Sequence, residues 1–194
     1  MKHKTIFALG LVALTLLLSN CLFRTEEKAD NVPTISQAER VKRGEYLVNA
    51  VGCDDCHTPK VMTNLGPVPD STRRFMGHPA TEPFASDEVM KKLVSSTHVG
   101  IFSSGFTATV GDWGVSYAAN LTPDDTGIGN WTEEQFFKAI REGKSKGLDG
   151  TRDLLPPMPW PVYRNFSDDD LKAIFAYLKS QKPIQNVVPN PKAL

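Results

Sequence analysis

Residues 52–58, GCDDCHT, decide the fold of this chain. Cys53 and Cys56 are separated by two residues, and His57 follows directly. Two thiols at this spacing lie about one helical turn apart on a short helix. Such a trio can close a disulfide, hold a metal ion or carry a covalently bound cofactor, and the rest of the sequence has to decide among the three.

The remaining sequence favours a covalent cofactor over a metal ion or a disulfide. The thiols can add to two vinyl groups on one porphyrin edge, and the adjacent imidazole then serves as the proximal iron ligand. A structural zinc site needs four ligands, but there is no second cysteine pair, and His78 and His98 give no regular spacing. A thioredoxin-type pair belongs beside a βαβ pattern, which is missing, and a disulfide leaves His57 unexplained. Cys53, Cys56 and His57 therefore predict one covalent haem c.

The first residues predict an exported protein. Lys2 and Lys4 precede an apolar run from Ile6 to Leu18. At about 13 residues this run is shorter than the ~20 that a membrane-spanning helix needs. We therefore expect a secretory signal peptide over residues 1–20; the alternative is a short membrane anchor that is retained.

The stretch LSNC at 18–21 is similar to the bacterial lipobox, in which the cysteine is lipidated through its sulfur. The resemblance implies a lipoprotein held by Cys21 on the periplasmic side of a bacterial inner membrane, with residues 21–35 as a polar tether. Removal of 1–20 takes away two lysines, so that 22 basic and 22 acidic residues become 20 and 22. A weakly acidic protein is not expected to bind nucleic acid.

The pattern of caps and apolar positions predicts a mostly α protein. Helices are expected after cap residues at the start of SQAERVKRGEYLVNAVG (36–52), SDEVMKKLV (86–94), TEEQFFKAIREG (132–143) and SDDDLKAIFAYLKSQKP (167–183). Most of residues 58–130 is rich in glycine and proline and is predicted to be ordered loop around the site. We expect one domain over 36–185 and a C-terminal tail over 186–194.

The chain resembles class I c-type cytochromes over about residues 36–185. A helix leads into CDDCH, and a methionine loop precedes the last helix. Three runs are similar to the cytochrome c modules and subunits of bacterial membrane dehydrogenases: RGEYLV (43–48), NLTPDDTGIGNWTEEQFFKAIREG (120–143) and LLPPMPWPVYRNFSDDDLKAIFAYLKS (154–180). The resemblance implies a cytochrome c-like helical fold with long ordered loops around one haem.

A second axial ligand is expected at Met158. It lies in LPPMPWP (155–161), where prolines fix φ and stiffen the loop. It also precedes the C-terminal helix, as the resemblance requires. A soft thioether binds reduced iron well and, with histidine, raises the reduction potential. The rival ligands are Met62, Met76, Met90, His78 and His98.

The resemblance also implies two supporting contacts. The carbonyl of Pro67, in the pair Gly66-Pro67, is expected to accept the second N–H of His57, with Pro59 as the alternative. Gly44 is expected to let the first and last helices cross closely, against Phe175 and Leu178.

The function implied is that of a monohaem electron carrier and not of an enzyme. It would shuttle one electron from a membrane or periplasmic dehydrogenase to a cytochrome or oxidase acceptor. Two alternatives stay open. One is a haem enzyme or sensor with an open distal site, peroxidase-like or gas-binding; the other is a subunit that acts only inside a larger dehydrogenase or oxidase.

Overall fold

The computed structural model describes residues 35–194, except for the side chains at positions 96 and 97. The signal peptide expected at 1–20, the lipidated Cys21 and nearly all of the tether expected over 21–35 lie outside these residues. Residues 36–194 form one unit. Its helices are α1 (Gln37–Ala50), α2 (Cys53–His57), α3 (Asp87–Thr97), α4 (Glu133–Glu142), α5 (Trp160–Tyr163) and α6 (Asp168–Lys179).

The longer helices begin where the sequence predicts side-chain caps. Ser36 and Glu39 form a reciprocal capping box at the start of α1, and Thr132 and Gln135 form another at the start of α4. Serine hydroxyls accept from backbone N–H groups at the starts of α3 and α6. The four predicted helices are thus confirmed. Within residues 35–194 no helix is both long and apolar enough to cross a membrane.

Helices α1 and α6 cross closely at Gly44. A Cβ at this position would lie 1.9 Å from the carbonyl oxygen of Ala173 and 2.7 Å from Cβ of Tyr177. The expected crossing is present, and the atoms nearest to a Cβ at Gly44 belong to Ala173 and Tyr177 rather than to Phe175 or Leu178. Ala173 and Tyr177 are four residues apart and therefore share the face of α6 that α1 meets.

The main core lies between α1, α4 and α6. Phe175 turns to α4, where its ring stacks on Phe136 with centroids 5.1 Å apart. Burial of aliphatic and aromatic side chains supplies most of the stability of such a core. Its buried members are Leu47, Val48, Phe75, Ile128, Phe136, Leu171, Ala173, Ile174, Tyr177 and Leu178.

Two small antiparallel sheets occupy the region that the sequence predicts as loop. Strands β1 (Lys60–Thr63) and β2 (Gly66–Pro69) form a hairpin, and β3 (Ile101–Phe102), β4 (Ala108–Gly111) and β5 (Gly114–Tyr117) form a three-stranded sheet in that order. Period-two alternation is the usual sequence signal for a strand. Here β4 is buried at every position, whereas β1 and β2 are mostly exposed. The alternation is therefore missing, and the strands escape prediction.

The last residues, 186–194, which were expected to form a C-terminal tail, contact the rest of the domain. The side chain of buried Asn186 donates to the carbonyls of Met76 at 2.7 Å and His78 at 2.9 Å. The backbone of Lys192 pairs with Val115 of β5 in both directions. The C-terminal segment thus covers the free edge of the three-stranded sheet.

We expect Gly44→Ala to destabilise the protein. An alanine in an exposed helical site would raise the free energy of unfolding by about 1 kcal/mol relative to glycine. At Gly44 the added methyl group meets the backbone of α6, so we expect a loss of roughly 1–3 kcal/mol instead. Urea unfolding measures this difference.

Lys42→Ala is the matched control, because Lys42 is an exposed residue of the same helix. Its free energy of unfolding should stay within about 0.5 kcal/mol of the wild type. A Gly44→Ala protein as stable as the control would contradict the close crossing.

Candidate cofactor site

Gly52 joins α1 to the cysteine helix α2. Its φ of 74° lies in the left-handed region, where glycine is favoured. The turn lets α2 start at Cys53 directly after α1 has ended, with the Asp55 N–H donating to the Gly52 carbonyl at 3.0 Å. Cys53 and Cys56 are both free thiols. The predicted one-turn spacing of the thiols is therefore present on a helix.

Both thiols are protonated at neutral pH. Burial, with a smaller effect of the Asp54 charge, raises the pKa of Cys53 to about 12. Burial also raises the pKa of Cys56, helped by the charge of Asp55. The structure therefore holds two neutral thiols on one face of α2.

Arg74 holds α2 against the helices around it. Its guanidinium donates to both carboxylate oxygens of Asp54, at 3.1 and 2.9 Å from Nε, and this pairing raises the pKa of Arg74. It also donates to the Asn49 side chain in α1 and to the Tyr177 hydroxyl in α6, each at 2.7 Å. Arg74 lies over the ring of Phe75, 4.5 Å from its centroid. One side chain thus links α2 to α1 and α6.

Lys60 fixes the other end of α2. Its ammonium donates to the carbonyls of Asp54 and Asp55, both at 3.0 Å, and to that of Thr58. A cation at a helix C-terminus satisfies carbonyls that have no partner within the helix. Because Lys60 is also the first residue of β1, this contact attaches the β1–β2 hairpin to the cysteine helix.

The His57 imidazole is held through its Nδ1 atom. Nδ1 lies 2.8 Å from the carbonyl oxygen of Ala119. A carbonyl only accepts, so Nδ1 carries the proton. Burial lowers the pKa of His57, so the ring is neutral at neutral pH. Its Nε2 therefore carries a lone pair, and no hydrogen bond to it is found among residues 35–194; this is the state in which histidine binds a metal.

Ala119 takes the role that was expected of Pro67. Pro67 lies in β2, paired opposite Met62, and the Pro59 carbonyl accepts from the Asp70 N–H at 2.8 Å. Both expectations for the His57 partner are therefore corrected. Ala119 is about sixty residues away in sequence and acts through its backbone, so its residue type gives no signal. Its position just before NLTPDD (120–125) was the available clue.

The Met158 loop is attached at its beginning, middle and end. The Leu154 N–H donates to the Gly143 carbonyl at 2.6 Å, and the Pro156 carbonyl accepts from the Ser116 hydroxyl at 2.6 Å. At its end, the Tyr163 hydroxyl donates to the Val51 carbonyl at 2.8 Å, two residues before Cys53. Burial raises the pKa of Tyr163 to about 12, which keeps this donor protonated. Met158 itself is half-buried.

Close packing supports the same loop from α4. Trp160, the first residue of α5, lies against Gly143, where an added Cβ would come within 2.4 Å of the indole ring. Gly143 also has a φ of 69° and ends α4. The contact between Gly143 and Trp160 thus holds together the two ends of the loop between α4 and α5.

Four of the five rival ligands are bonded, buried in a separate cluster or exposed. Both ring nitrogens of His78 are bonded, Nδ1 to the Thr107 hydroxyl at 2.9 Å and Nε2 to the Glu82 carbonyl at 3.1 Å. Met90 is buried in a separate cluster with Val94, Val110 and Val115. Met62 is 70% exposed on the hairpin, His98 is exposed beside Asp112, and Met76 is buried.

The donor set fits a covalently attached haem. Two neutral thiols lie on one helix, a neutral imidazole presents an unprotonated Nε2, and a thioether lies in a loop fixed by prolines. No group of three or more histidine, cysteine, aspartate or glutamate side chains in residues 35–194 is placed to form a metal site of its own.

We expect Arg74→Ala to lower the free energy of unfolding of the haem-loaded protein by about 2–3 kcal/mol. The substitution leaves Asp54, which is only 19% exposed, and the Tyr177 hydroxyl without their partner. Urea unfolding measures the loss.

Arg43→Ala is the matched control, because the Arg43–Asp170 pair is more exposed, at 50% and 23%. An exposed ion pair contributes at most about 1 kcal/mol. Equal losses of unfolding free energy in the two variants would mean that Arg74 contributes no more to stability than an exposed ion pair does.

Comparison with known proteins relates the chain to cytochrome subunits. No family model matches it. The fructose dehydrogenase cytochrome subunit of Gluconobacter japonicus is 32% identical over 164 residues, which is 82% of this chain and 25% of that protein. The gluconate 2-dehydrogenase cytochrome c subunit of Pantoea cypripedii is 34% identical over 138 residues, 71% of this chain and 22% of that protein.

A further relative is the cytochrome c subunit of the quinone alcohol dehydrogenase of Gluconobacter oxydans. It is 31% identical over 154 residues, 77% of this chain and 24% of that protein. The chain thus spans about a quarter of the length of these relatives. These similarities cover most of the chain, and the chain is accordingly related to the cytochrome c subunits of bacterial dehydrogenases.

Proposed function

We propose that this protein is a monohaem c-type cytochrome that transfers single electrons and has no catalytic activity of its own. The observation that carries the proposal is the state of His57: Nδ1 is occupied by the Ala119 carbonyl, and Nε2 is left for a metal, beside two free thiols. Cys53 and Cys56 would hold the haem as thioethers. The side chains of His57 and Met158 would hold its iron.

The bound haem would supply a one-electron couple between ferrous and ferric iron. The chain's own contribution is to keep the ligands in place in both states. The Ala119 carbonyl fixes the tautomer and orientation of His57, and the anchored loop restricts Met158. Arg74 binds the Asp54 side chain of the cysteine helix, and Lys60 binds the backbone carbonyls of Asp54, Asp55 and Thr58. A site held in this way changes little when the charge of the iron changes, which favours fast electron transfer.

The fold we propose is cytochrome c-like. Three features support it: α1 and α6 cross at a glycine, α2 follows α1 with the cysteines, and the Met158 loop precedes α6. The two small sheets between β1 and β5 are additions to this helical frame. Ser116 of β5 donates to the Pro156 carbonyl in the Met158 loop, and the carbonyl of Ala119, two residues after β5, accepts from His57 Nδ1.

The proposed electron donor is a membrane or periplasmic dehydrogenase. The relatives are subunits of fructose, gluconate and alcohol dehydrogenases, and this supports a dehydrogenase as partner. The acceptor would be another cytochrome or an oxidase. A signal peptide over 1–20 and a lipid on Cys21 would place the protein on the periplasmic side of a bacterial inner membrane.

A redox titration followed by optical spectra tests the proposal. We expect a c-type spectrum with one haem per chain, a single one-electron transition, and the weak sulfur-to-iron charge-transfer band in the ferric protein. The reduced protein should bind carbon monoxide slowly. Rapid carbon monoxide binding would instead indicate an open distal site and favour an enzyme or gas sensor.

We expect Met158→Ala to abolish the charge-transfer band and to open the distal position. The reason is that Met158 is the proposed ligand, while His78 is bonded at both ring nitrogens, Met90 is buried in a separate cluster and Met62 is exposed. The ferric spectrum and the rate of carbon monoxide binding to the reduced protein measure the change. The reduction potential should also fall, since thioether ligation favours reduced iron.

Met62→Ala is the matched control, because Met62 is an exposed methionine on the β1–β2 hairpin. Its ferric spectrum should match that of the wild type. Survival of the band in Met158→Ala, with loss in a variant of another methionine, would reject Met158 as the ligand.

A further inference from the structure

Ser116 is a buried serine of β5 whose hydroxyl bonds to one group nearby in the sequence and one distant group. Its Oγ donates to the Pro156 carbonyl at 2.6 Å and accepts from Trp113 Nε1 at 3.3 Å. The side chain is 8% exposed. The bond to Pro156 joins the three-stranded sheet to the loop that carries Met158, two residues further along the chain.

The Met158 loop has few hydrogen bonds of its own. Residues 156, 157, 159 and 161 are prolines and have no N–H to donate. The Met158 N–H itself donates to the Leu155 carbonyl at 3.2 Å. A loop with this composition depends on donors from outside to fix its carbonyls. Ser116 is the side chain that donates to the carbonyl just before the Pro157-Met158 pair.

The segment that begins at Ser116 also holds His57. Ala119, three residues after Ser116, offers its carbonyl to His57 Nδ1 at 2.8 Å. Residues 116–119 therefore contact the support of the proposed methionine ligand at one end and the proposed histidine ligand at the other.

Residues 116–119 are well fixed themselves. Ser116 pairs with Thr109 in β4, and the Ala118 N–H donates to the Thr107 carbonyl at 2.8 Å. On the other side, Val115 pairs with Lys192 of the C-terminal segment. Because β5 is paired on both sides, it is a rigid base from which to orient the two ligands.

We infer that residues 116–119 set the relative position of the two axial ligands, and that Ser116 is the positioning residue for Met158. This inference rests on the proposed function, since it takes Met158 and His57 as ligands. Without the Ser116 hydroxyl, the loop detaches more often and Met158 leaves the iron more often. The effect on the haem is thus indirect and runs through the Pro156 carbonyl.

The test compares haem-loaded Ser116→Ala with the wild type. One hydrogen bond of this kind contributes about 1 kcal/mol, so the population with a detached loop should rise about three- to tenfold. Carbon monoxide binds reduced iron only when Met158 is displaced. Its binding rate should therefore rise by the same factor, and the ferric charge-transfer band should disappear at a lower temperature than in the wild type.

Two further variants separate positioning from general stability. Ser116→Thr retains the hydroxyl and should keep the carbon monoxide rate within about twofold of the wild type. Ser103→Ala removes a hydroxyl from the same region, where Ser103 Oγ accepts from the Ala108 N–H at 3.1 Å. It does not involve the Met158 loop and should leave the rate unchanged.

The outcomes distinguish this inference from the proposed function. If the wild type lacks the charge-transfer band, or Met158→Ala retains it, methionine ligation by Met158 fails. If Met158→Ala loses the band while Ser116→Ala binds carbon monoxide at the wild-type rate, the ligand assignment holds and the positioning role of Ser116 is overturned. A rate that rises equally in Ser116→Ala and Ser103→Ala also overturns it, because the effect is then not specific to the loop.

Discussion

The hydrogen bond from His57 Nδ1 to the Ala119 carbonyl connects the two halves of this protein. On one side are the helices, with His57 at the end of α2; on the other is the three-stranded sheet, which ends just before Ala119. The bond fixes which nitrogen is protonated and which way the ring faces. Burial keeps the ring neutral by lowering its pKa. A histidine that binds a metal needs an unprotonated and oriented Nε2. Here a backbone carbonyl provides this state by accepting the proton of Nδ1 in a hydrogen bond.

The helical half supplies a rigid base for the cysteines. Gly44 allows α1 and α6 to approach closely, and Arg74 then reaches Asp54, Asn49 and Tyr177 on three different helices. Charge-assisted hydrogen bonds of a guanidinium are directional, so the orientation of α2 follows from that of its neighbours. The cysteine helix has five residues and could not be stable alone. Its geometry comes from the contacts around it.

The sheet explains why the segment between the cysteine motif and the NLTPDD stretch is long. Its strands carry the Ala119 carbonyl to His57 and the Ser116 hydroxyl to the Met158 loop. The C-terminal segment adds a further layer, because Lys192 pairs with β5 and Asn186 holds the carbonyls of Met76 and His78. A segment that lacks helical periodicity can therefore be a structural support of the site. The similarity to cytochrome subunits over most of the chain fits this picture, since it includes both halves.

The sequence by itself determined the local features. Caps at Ser36, Ser86, Thr132 and Ser167 predicted the helix starts, because a capping side chain bonds within three residues. The spacing of Cys53, Cys56 and His57 predicted a haem motif, because those groups are neighbours on one turn of helix. The tertiary structure alone decided the partner of His57, the contacts of Gly44 with Ala173 and Tyr177, and the packing of residues 186–194. These contacts join residues far apart in the chain, and the His57 bond uses a backbone carbonyl that every residue type carries. The pairing of strands likewise joins residues that are not adjacent in the chain. Strands that are buried on both faces or exposed on both faces also lack the alternation of polar and apolar residues from which strands are predicted.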